Sequence, residues 1–416
     1  MRESTLIPRH AATLLAESLE DSPVTLIHGP RQCGKTTLAQ LVGKPLGYSY
    51  LTFDDPVARS AAQSDPLGFA ASLSDRVVLD EVQRVPSLFS GIKLSVDRER
   101  IPGRFILTGS TNVLLVPNLA DSLAGRMQTV RLHPLSQREL EQSTSATLVE
   151  RLFSGGFGTS RSERLGTSLV ERIAAGGYPA ALVRPAGRRR SAWYRDYVDS
   201  LVQRDARDAA RIRSLEALPR LLSVAAAQTA QLFNLSKLAS PFQLSRNTIR
   251  DYFTLLERLF LVERLPPWHS NRVSRVVKAP RVHIGDSGLA CNLLGARPAA
   301  LLANREVLGQ VLETFVFQEL RRQADCLGDP YSFFHYRDRD GAEVDIVIEH
   351  GALEVAGVEI KAGATVFQSD FRGLRKLKAA SGNRFACGAV LYDGETSASF
   401  GDGLYAIPLK TLWDPL

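Results

Sequence analysis

The stretch Val24-Thr-Leu-Ile-His-Gly29-Pro30-Arg31-Gln32-Cys33-Gly34-Lys35-Thr36-Thr37 holds the strongest chemical signal in the chain. Gly29 to Thr36 keeps the spacing GxxxxGK(S/T), with an apolar β-branched run before it and helix-compatible residues after it. That context predicts strand, glycine loop and helix. In such a loop the backbone N–H groups and the positive helix N-terminus cradle a β-phosphate. Lys35 then reaches the β- and γ-phosphates, and the Thr36 hydroxyl ligates Mg²⁺. The candidate nucleotide-binding set is therefore Gly29, Pro30, Arg31, Gln32, Cys33, Gly34, Lys35, Thr36 and Thr37, with ATP and Mg²⁺ as the implied cofactors.

Two further segments fit the same chemistry. Arg76-Val-Val-Leu-Asp80-Glu81 reads as an apolar strand ending in two acids. Asp80 would hold Mg²⁺ through water, and Glu81 would orient or deprotonate the attacking water. Carboxylates resist burial without a partner, so packing explains such a pair poorly. Arg104-Phe-Ile-Leu-Thr108-Gly-Ser110-Thr-Asn112 predicts a third strand. Thr108, Ser110 and Asn112 are candidates for sensing the γ-phosphate, with ordinary turn residues as the equal alternative. Downstream, Arg126 follows Asp121-Ser-Leu-Ala-Gly. It could complete a neighbouring subunit's site as an arginine finger, or serve as a structural ion pair.

A second cluster lies near the C-terminus. Glu313 falls on a strong helical pattern, Asp345 on a strand, and Glu359 and Lys361 on the next strand. The period of two puts Glu359 and Lys361 on one face. This set resembles the PD-(D/E)xK nuclease core, with Gln368 as a further polar residue. The resemblance implies a divalent metal shared by Asp345 and Glu359, Glu313 binding it from the helix, and Lys361 stabilising an attacking hydroxide or the phosphate.

The order of these motifs, followed by LHPLSQREL, resembles the prokaryotic AAA-type ATPases that carry a C-terminal domain of unknown function. GGYPAAL at 176–182, WYRDYVDSLVQRD at 193–205 and the segments around 236–268 and 278–290 match that family's later parts. The resemblance implies an oligomer-prone ATPase of the additional-strand class.

The elements that must position these residues follow. The expected fold class is α/β: a P-loop ATPase core over 1–140, a loop and helical linker over 141–215, a winged-helix-like domain over 216–280, and a nuclease-like α/β domain over 281–416. Residues 141–170 are polar and Gly/Ser-rich and read as a loop. Trp193, Tyr194, Tyr197, Val198 and Leu201 give one apolar helical face, with Arg and Asp interleaved around it. Ser245 reads as an N-cap. Arg246, Asn247 and Arg250 sit where a recognition-type helix faces a nucleic-acid groove. A protein-docking or lid role is the alternative for this module.

Composition bounds the partners. The chain has 416 residues, 44% hydrophobic and 23% charged, which excludes a mainly disordered or fibrous protein. Its net charge of +7 permits a DNA or RNA partner without requiring one. The four cysteines, Cys33, Cys291, Cys326 and Cys387, are scattered without zinc or disulfide spacing. No apolar run is long enough to span a bilayer, and the N-terminus reads as an amphipathic helix, so a cytoplasmic protein without membrane contact is expected. The residues thus support an ATPase coupled to a nucleic-acid module. Two alternatives stay open: a nucleotide-gated protein-interaction switch without nuclease activity, and an ATP-dependent metal nuclease.

Overall fold

The computed structural model of the chain describes residues 6–110, 123–209, 217–234, 242, 244–271, 275 and 279–414, with 202–209 as backbone only. It divides into two compact units, one of Met1–Leu135 with Glu257–Phe260, the other of Ser136–Leu256 with Leu261–Leu416. No helix among the described residues is long and apolar enough to cross a membrane.

The first unit is built on a parallel sheet. Its strands are β1 (Val24–His28), β2 (Ser49–Thr52), β3 (Val77–Asp80), β4 (Phe105–Gly109) and β5 (Met127–Arg131). They lie in the order β2-β3-β4-β1-β5. The apolar runs of β1, β3 and β4 are buried along their whole length, as expected for a parallel sheet covered on both faces. Helices α1 (Ala11–Asp21), α2 (Lys35–Gly43), α3 (Pro56–Ser64), α4 (Pro66–Ser72) and α5 (Leu88–Arg98) supply the rest of the unit. Phe53, Phe89 and Phe105 pack into its core, each at roughly 1.5–3 kcal/mol of burial. Strand β4 lies between β1 and β3, so it is the additional strand separating the glycine-loop strand from the acid-pair strand. Ligands of open parallel sheets bind beyond the C-terminal strand ends, and all three predicted motifs sit there.

Among the described residues the second unit contains two sheets. The larger comprises β6 (Ser160–Arg161), β10 (Tyr331–Arg337), β11 (Glu343–His350), β12 (Glu354–Lys361), β13 (Phe385–Tyr392), β14 (Thr396–Ser399) and β15 (Leu404–Pro408). Its order is β10-β11-β12-β13-β15-β14-β6. β10, β11 and β12 form an antiparallel meander, and β13 joins β12 in parallel. The helix Arg372–Ser381 crosses between those two strands and covers the sheet. It approaches so closely that a Cβ on Gly373 would sit 1.7 Å from the Glu343 carbonyl oxygen. The smaller sheet has β7 (Gln231–Leu232), β8 (Val262–Leu265) and β9 (Arg281–Ile284) in the order β7-β9-β8. The helices Ala217–Ala227 and Arg246–Arg258 precede β7 and β8 respectively. β9 therefore brings residues beyond 280 into this module.

Two sequence expectations meet the structure differently. The apolar face of the Arg-rich helix is buried as anticipated, through Trp193, Tyr194, Tyr197, Val198 and Leu201 of Arg188–Ala209. Residues 141–170, expected to be a loop or mobile connection, instead carry the helix Leu148–Phe153 and the strand β6, while Thr167–Ala175 opens the helical stretch expected over 165–215. The first of these helices starts with a capping box: Thr147 accepts from the Glu150 N–H, and Glu150 accepts from the Thr147 N–H. Strand β6 finds its partner in β14, a pairing of Thr396 with Arg161 that no local pattern could show.

Candidate active site and a second acidic centre

The glycine loop takes the backbone shape its sequence requires. Gly29, Gln32 and Gly34 have φ of +156°, +60° and +102°. Gly29 also passes close to the neighbouring chain, where a Cβ would meet the Leu132 carbonyl oxygen at 2.0 Å. Lys35 opens α2 with only 6% of its surface exposed. Its Nζ donates to the carbonyl oxygens of Gly29 at 3.0 Å and Pro30 at 2.8 Å. Pro30 is buried, Gln32 and Thr37 are exposed, and Arg31 is half-buried. Cys33 contributes backbone only, because its buried thiol donates to the Leu132 carbonyl at 3.3 Å. Arg9, which sequence reasoning missed, braces the loop: its two Nη atoms donate to the carbonyls of Cys33 and His133, each at 2.6 Å. Nothing in the local pattern around residue 9 announces this.

The acid pair closes the site. Asp80 ends β3 and is 6% exposed. Thr36 donates its hydroxyl to Asp80 Oδ1 at 2.9 Å, and Thr108 donates to the same oxygen. Tyr50 donates to Oδ2 at 2.8 Å, and burial with this bond to Asp80 pushes its phenol up to about 12. Three neutral hydroxyls therefore fix Asp80. Glu81 follows with φ +59°, a left-handed conformation that costs a non-glycine residue of order 1 kcal/mol or more. Its N–H donates to Thr108 Oγ1 at 3.3 Å. Its Oε2 accepts from Ser110 at 2.9 Å and from the Gln83 amide, which also reaches Ser110 Oγ at 2.9 Å. Among the γ-phosphate candidates, Thr108 is thus wired to Asp80 and Ser110 to Glu81, while Asn112 lies outside the described residues. Tyr50 and Gln83 were missed, since neither belongs to a spaced motif.

These donors suit Mg²⁺. The Thr36 hydroxyl and the Asp80 carboxylate are hard oxygens converging at the loop, and this ion is held by one or two carboxylates plus substrate phosphates. Arg126 stands apart: its guanidinium pairs with Asp97 of α5, and Nη1 donates to the Ala124 carbonyl at 3.1 Å.

The C-terminal candidates come together around a residue that was not anticipated. Arg281, 7% exposed on β9, reaches Glu313 of the helix Arg305–Ala324 and Asp345 of β11 with one Nη, and Glu343 with the other. The contact to Asp345 is 3.1 Å. Asp345 Oδ2 also accepts from the Ile360 N–H at 2.9 Å. Lys361 pairs with Glu359 Oε1 at 3.0 Å, and Glu359 Oε2 is buried without a hydrogen-bond partner. Burial opposes the charge of Arg281, yet Glu313, Asp345 and Glu343 outweigh it and hold its pKa above the usual guanidinium value. Burial and the Asp345 charge push Glu313 upward, and push Glu359 up to about 8 against the pull of Lys361. The fold gathers the expected metal set of Glu313, Asp345 and Glu359 around Arg281 and Lys361. Among the described residues no group of three or more His, Cys, Asp or Glu side chains is arranged to hold a metal ion. Arg281 takes Glu313 Oε1 and Asp345 Oδ1, and Lys361 takes Glu359 Oε1. Gln368 faces elsewhere, bonding Arg375.

The segments GGYP and GDSGL are tied together through Asp286. Asp286 accepts from the N–H groups of Gly177 at 2.8 Å and Leu289 at 3.0 Å, from Tyr194 at 3.1 Å and from buried Arg322 at 3.3 Å. In the smaller sheet's module, Ser245 caps its helix by accepting from the Thr248 N–H at 3.1 Å. Arg246, Asn247 and Arg250 are all exposed on that helix.

A parallel sheet with an additional strand, a glycine loop ending in Lys35-Thr36 and the Asp80-Glu81 pair define an AAA-type P-loop ATPase. An AAA domain model matches residues 21–141, and two domains of unknown function, DUF8612 and DUF4143, match 166–300 and 308–412. Uncharacterized protein Rv2008c of Mycobacterium tuberculosis is 30% identical over 400 residues, covering 96% of this chain and 83% of its own. The chain belongs to the family of that mycobacterial protein. An uncharacterized protein of Haemophilus influenzae is 25% identical over 258 residues, 59% of this chain and 57% of its own. Among solved structures, the Walker-type ATPase paby2304 of Pyrococcus abyssi aligns with a TM-score of 0.46 and 15% identity over 70% of this chain and 97% of that one. The RuvB Holliday junction branch migration motor of Thermotoga maritima aligns with a TM-score of 0.31 and 16% identity over 62% and 89%.

Proposed function

We propose that the chain is a Mg²⁺-dependent ATPase whose second unit is a winged-helix and nuclease-like module acting on nucleic acid under control of the nucleotide state. The observation that carries the hydrolytic part is the convergence of Thr36, Asp80 and Glu81 at the glycine loop, each carboxylate held by named donors. Lys35 exchanges the carbonyls of Gly29 and Pro30 for β- and γ-phosphate oxygens. Thr36 and Asp80 hold the metal, with Tyr50 and Thr108 fixing the carboxylate. Mg²⁺, when bound, neutralises charge on the phosphate oxygens. Glu81 orients the attacking water or takes its proton, and Ser110 and Gln83 set the direction of its carboxylate. Arg126 leaves Asp97 to act as an arginine finger in a neighbouring copy of a homo-oligomer.

The nucleic-acid part rests on the helix–strand order around β7, β8 and β9, which we read as a winged helix, and on exposed Arg246, Asn247 and Arg250. The test is ATP turnover measured alone and with single-stranded DNA, duplex DNA or RNA. Stimulation that weakens with salt and with Arg246→Ala and Arg250→Ala supports the reading. Turnover indifferent to all three sinks it. A second reading, a nucleotide-gated protein-interaction switch, is favoured over a metal nuclease by Arg281 among the C-terminal carboxylates.

A further inference from the structure

We propose that Arg281 is a built-in cation that closes the acidic centre of the second unit to divalent metal ions, so that the centre accepts a metal only when that side chain is withdrawn. Arg281 comes from the three-stranded sheet, whereas Glu313, Glu343 and Asp345 come from the helix Arg305–Ala324 and the seven-stranded sheet. One guanidinium thus meets carboxylates from two other elements. Arg281 is 7% exposed, and the side chains of Glu313 and Asp345 are each 15% exposed.

The charges show why the position matters. Lys361 serves Glu359 at 3.0 Å, and Arg337 serves Glu343 at 3.2 Å. Among the described residues, Arg281 is the cation in contact with Glu313 and Asp345. Without it, two buried carboxylates face each other with only the Ile360 N–H on Asp345 and the more distant charge of Lys361 to offset them, which is unfavourable until a proton or another cation arrives. Their oxygens are hard donors fixed on a helix and a strand, the ligand type that Mg²⁺ and Mn²⁺ take. Glu359 adds a buried Oε2 that has no hydrogen-bond partner.

A guanidinium cannot replace a metal in chemistry. It stays protonated, donates hydrogen bonds and has no open coordination position with which to activate water. With Arg281 seated, the centre is neutralised and inert. Seating depends on how the small sheet docks against the helix Arg305–Ala324. That dock is held by Thr229 to Thr314 at 2.8 Å, by His283 to Thr314 at 3.1 Å and by Arg321 to Glu263 at 3.2 Å. A movement of the small sheet, the same module read above as the nucleic-acid binder, would therefore control the centre. The inference rests on the nuclease-like reading only for what a metal would do there.

The experiment uses the full chain with Asp80→Asn, which silences metal binding at the nucleotide site, and counts bound Mn²⁺ by electron paramagnetic resonance. Adding Arg281→Gln is expected to raise Mn²⁺ affinity by roughly tenfold or more, the scale on which a metal site's neighbours act. Adding Asp345→Asn to that variant is expected to abolish the gain, and Arg281→Lys is expected to leave the centre closed. Arg281→Met, which keeps the apolar stem, gives the same readout if the Gln variant fails to fold. Equal Mn²⁺ binding with and without Arg281 overturns the proposal, whether the centre then binds the ion in both proteins or in neither. Plasmid cleavage by the opened variants is scored separately. Mn²⁺ binding without cleavage removes the nuclease reading and leaves the closure standing.

Discussion

The two acidic centres of this chain use the same residue types to opposite ends. At the nucleotide site, Asp80 and Glu81 meet hydroxyls and an amide: Thr36, Thr108 and Tyr50 on the first, Ser110 and Gln83 on the second. In the second unit, Glu313, Asp345 and Glu343 meet Arg281, and Glu359 meets Lys361. Neutral donors orient a carboxylate and leave its charge to attract a metal or a proton. A guanidinium orients it equally well but cancels the charge. Donor type, more than the number of acids, separates a centre prepared for chemistry from one that is closed.

The largest effect expected from this contrast is at the nucleotide site. Lys35→Ala removes the cation that must move onto phosphate, so ATP turnover should fall to background in a phosphate-release assay. Retained turnover would break the assignment of the whole site. Next comes Arg281→Ala. Breaking a buried, hydrogen-bonded ion cluster by removing one partner costs about 3–5 kcal/mol, which denaturant unfolding of the full chain would read as a lowered midpoint. A loss well under 1 kcal/mol would show that the carboxylates are solvated enough to need no cation, and the contrast would lose its second half.

A smaller effect is expected from Ser110→Ala. It leaves Glu81 charged but loosens its aim. A hydrogen bond to a charged group is worth about 1.5–3 kcal/mol, so turnover should drop by roughly tenfold or more while ATP affinity holds. A change in affinity without a change in turnover would move Ser110 from positioning Glu81 to binding phosphate.

These sites were unequally legible in the sequence. The glycine loop and acid pair are local: strand, loop and helix follow one another within 20 residues, so type and spacing reveal both structure and role. The strands followed from the same apolar runs, while the additional strand was what the family resemblance implied. The clasps were not legible. Tyr50 and Gln83 reach the acids through tertiary packing, and Arg9 reaches the loop across 24 residues. The C-terminal set shows the limit clearly. Glu313, Asp345, Glu359 and Lys361 were picked out by their resemblance to a nuclease core, and the fold does bring them together. Arg281 lies 64 residues before Asp345, and nothing in the sequence places it between the acids. Likewise, the Gly/Ser-rich composition of 141–170 outweighed the Thr147–Glu150 capping signature that starts a helix there.

A last effect, absent at neutral pH, sharpens the contrast within one strand. Arg281 and His283 are two residues apart on β9, so they share a face. Arg281 has carboxylates in contact. His283 is 0% exposed, bonds Thr314 through Nδ1 at 3.1 Å, and packs its ring on Phe317 with centroids 4.5 Å apart. Burial, aided by the Arg281 charge, pushes its pKa down to about 3, from an ordinary value near 6.5. The folded state therefore keeps His283 neutral, while the unfolded chain takes up a proton as pH falls through about 6.5. The stability it contributes is complete above that value and declines as pH drops toward about 3. His283→Gln retains a partner for Thr314 and cannot charge, so its denaturation midpoint should depend less on pH between about 7 and 4. Parallel pH profiles for the two proteins would mean that β9 tolerates a second positive charge beside Arg281, and that the acids, not the position of the guanidinium, set the charge of this face.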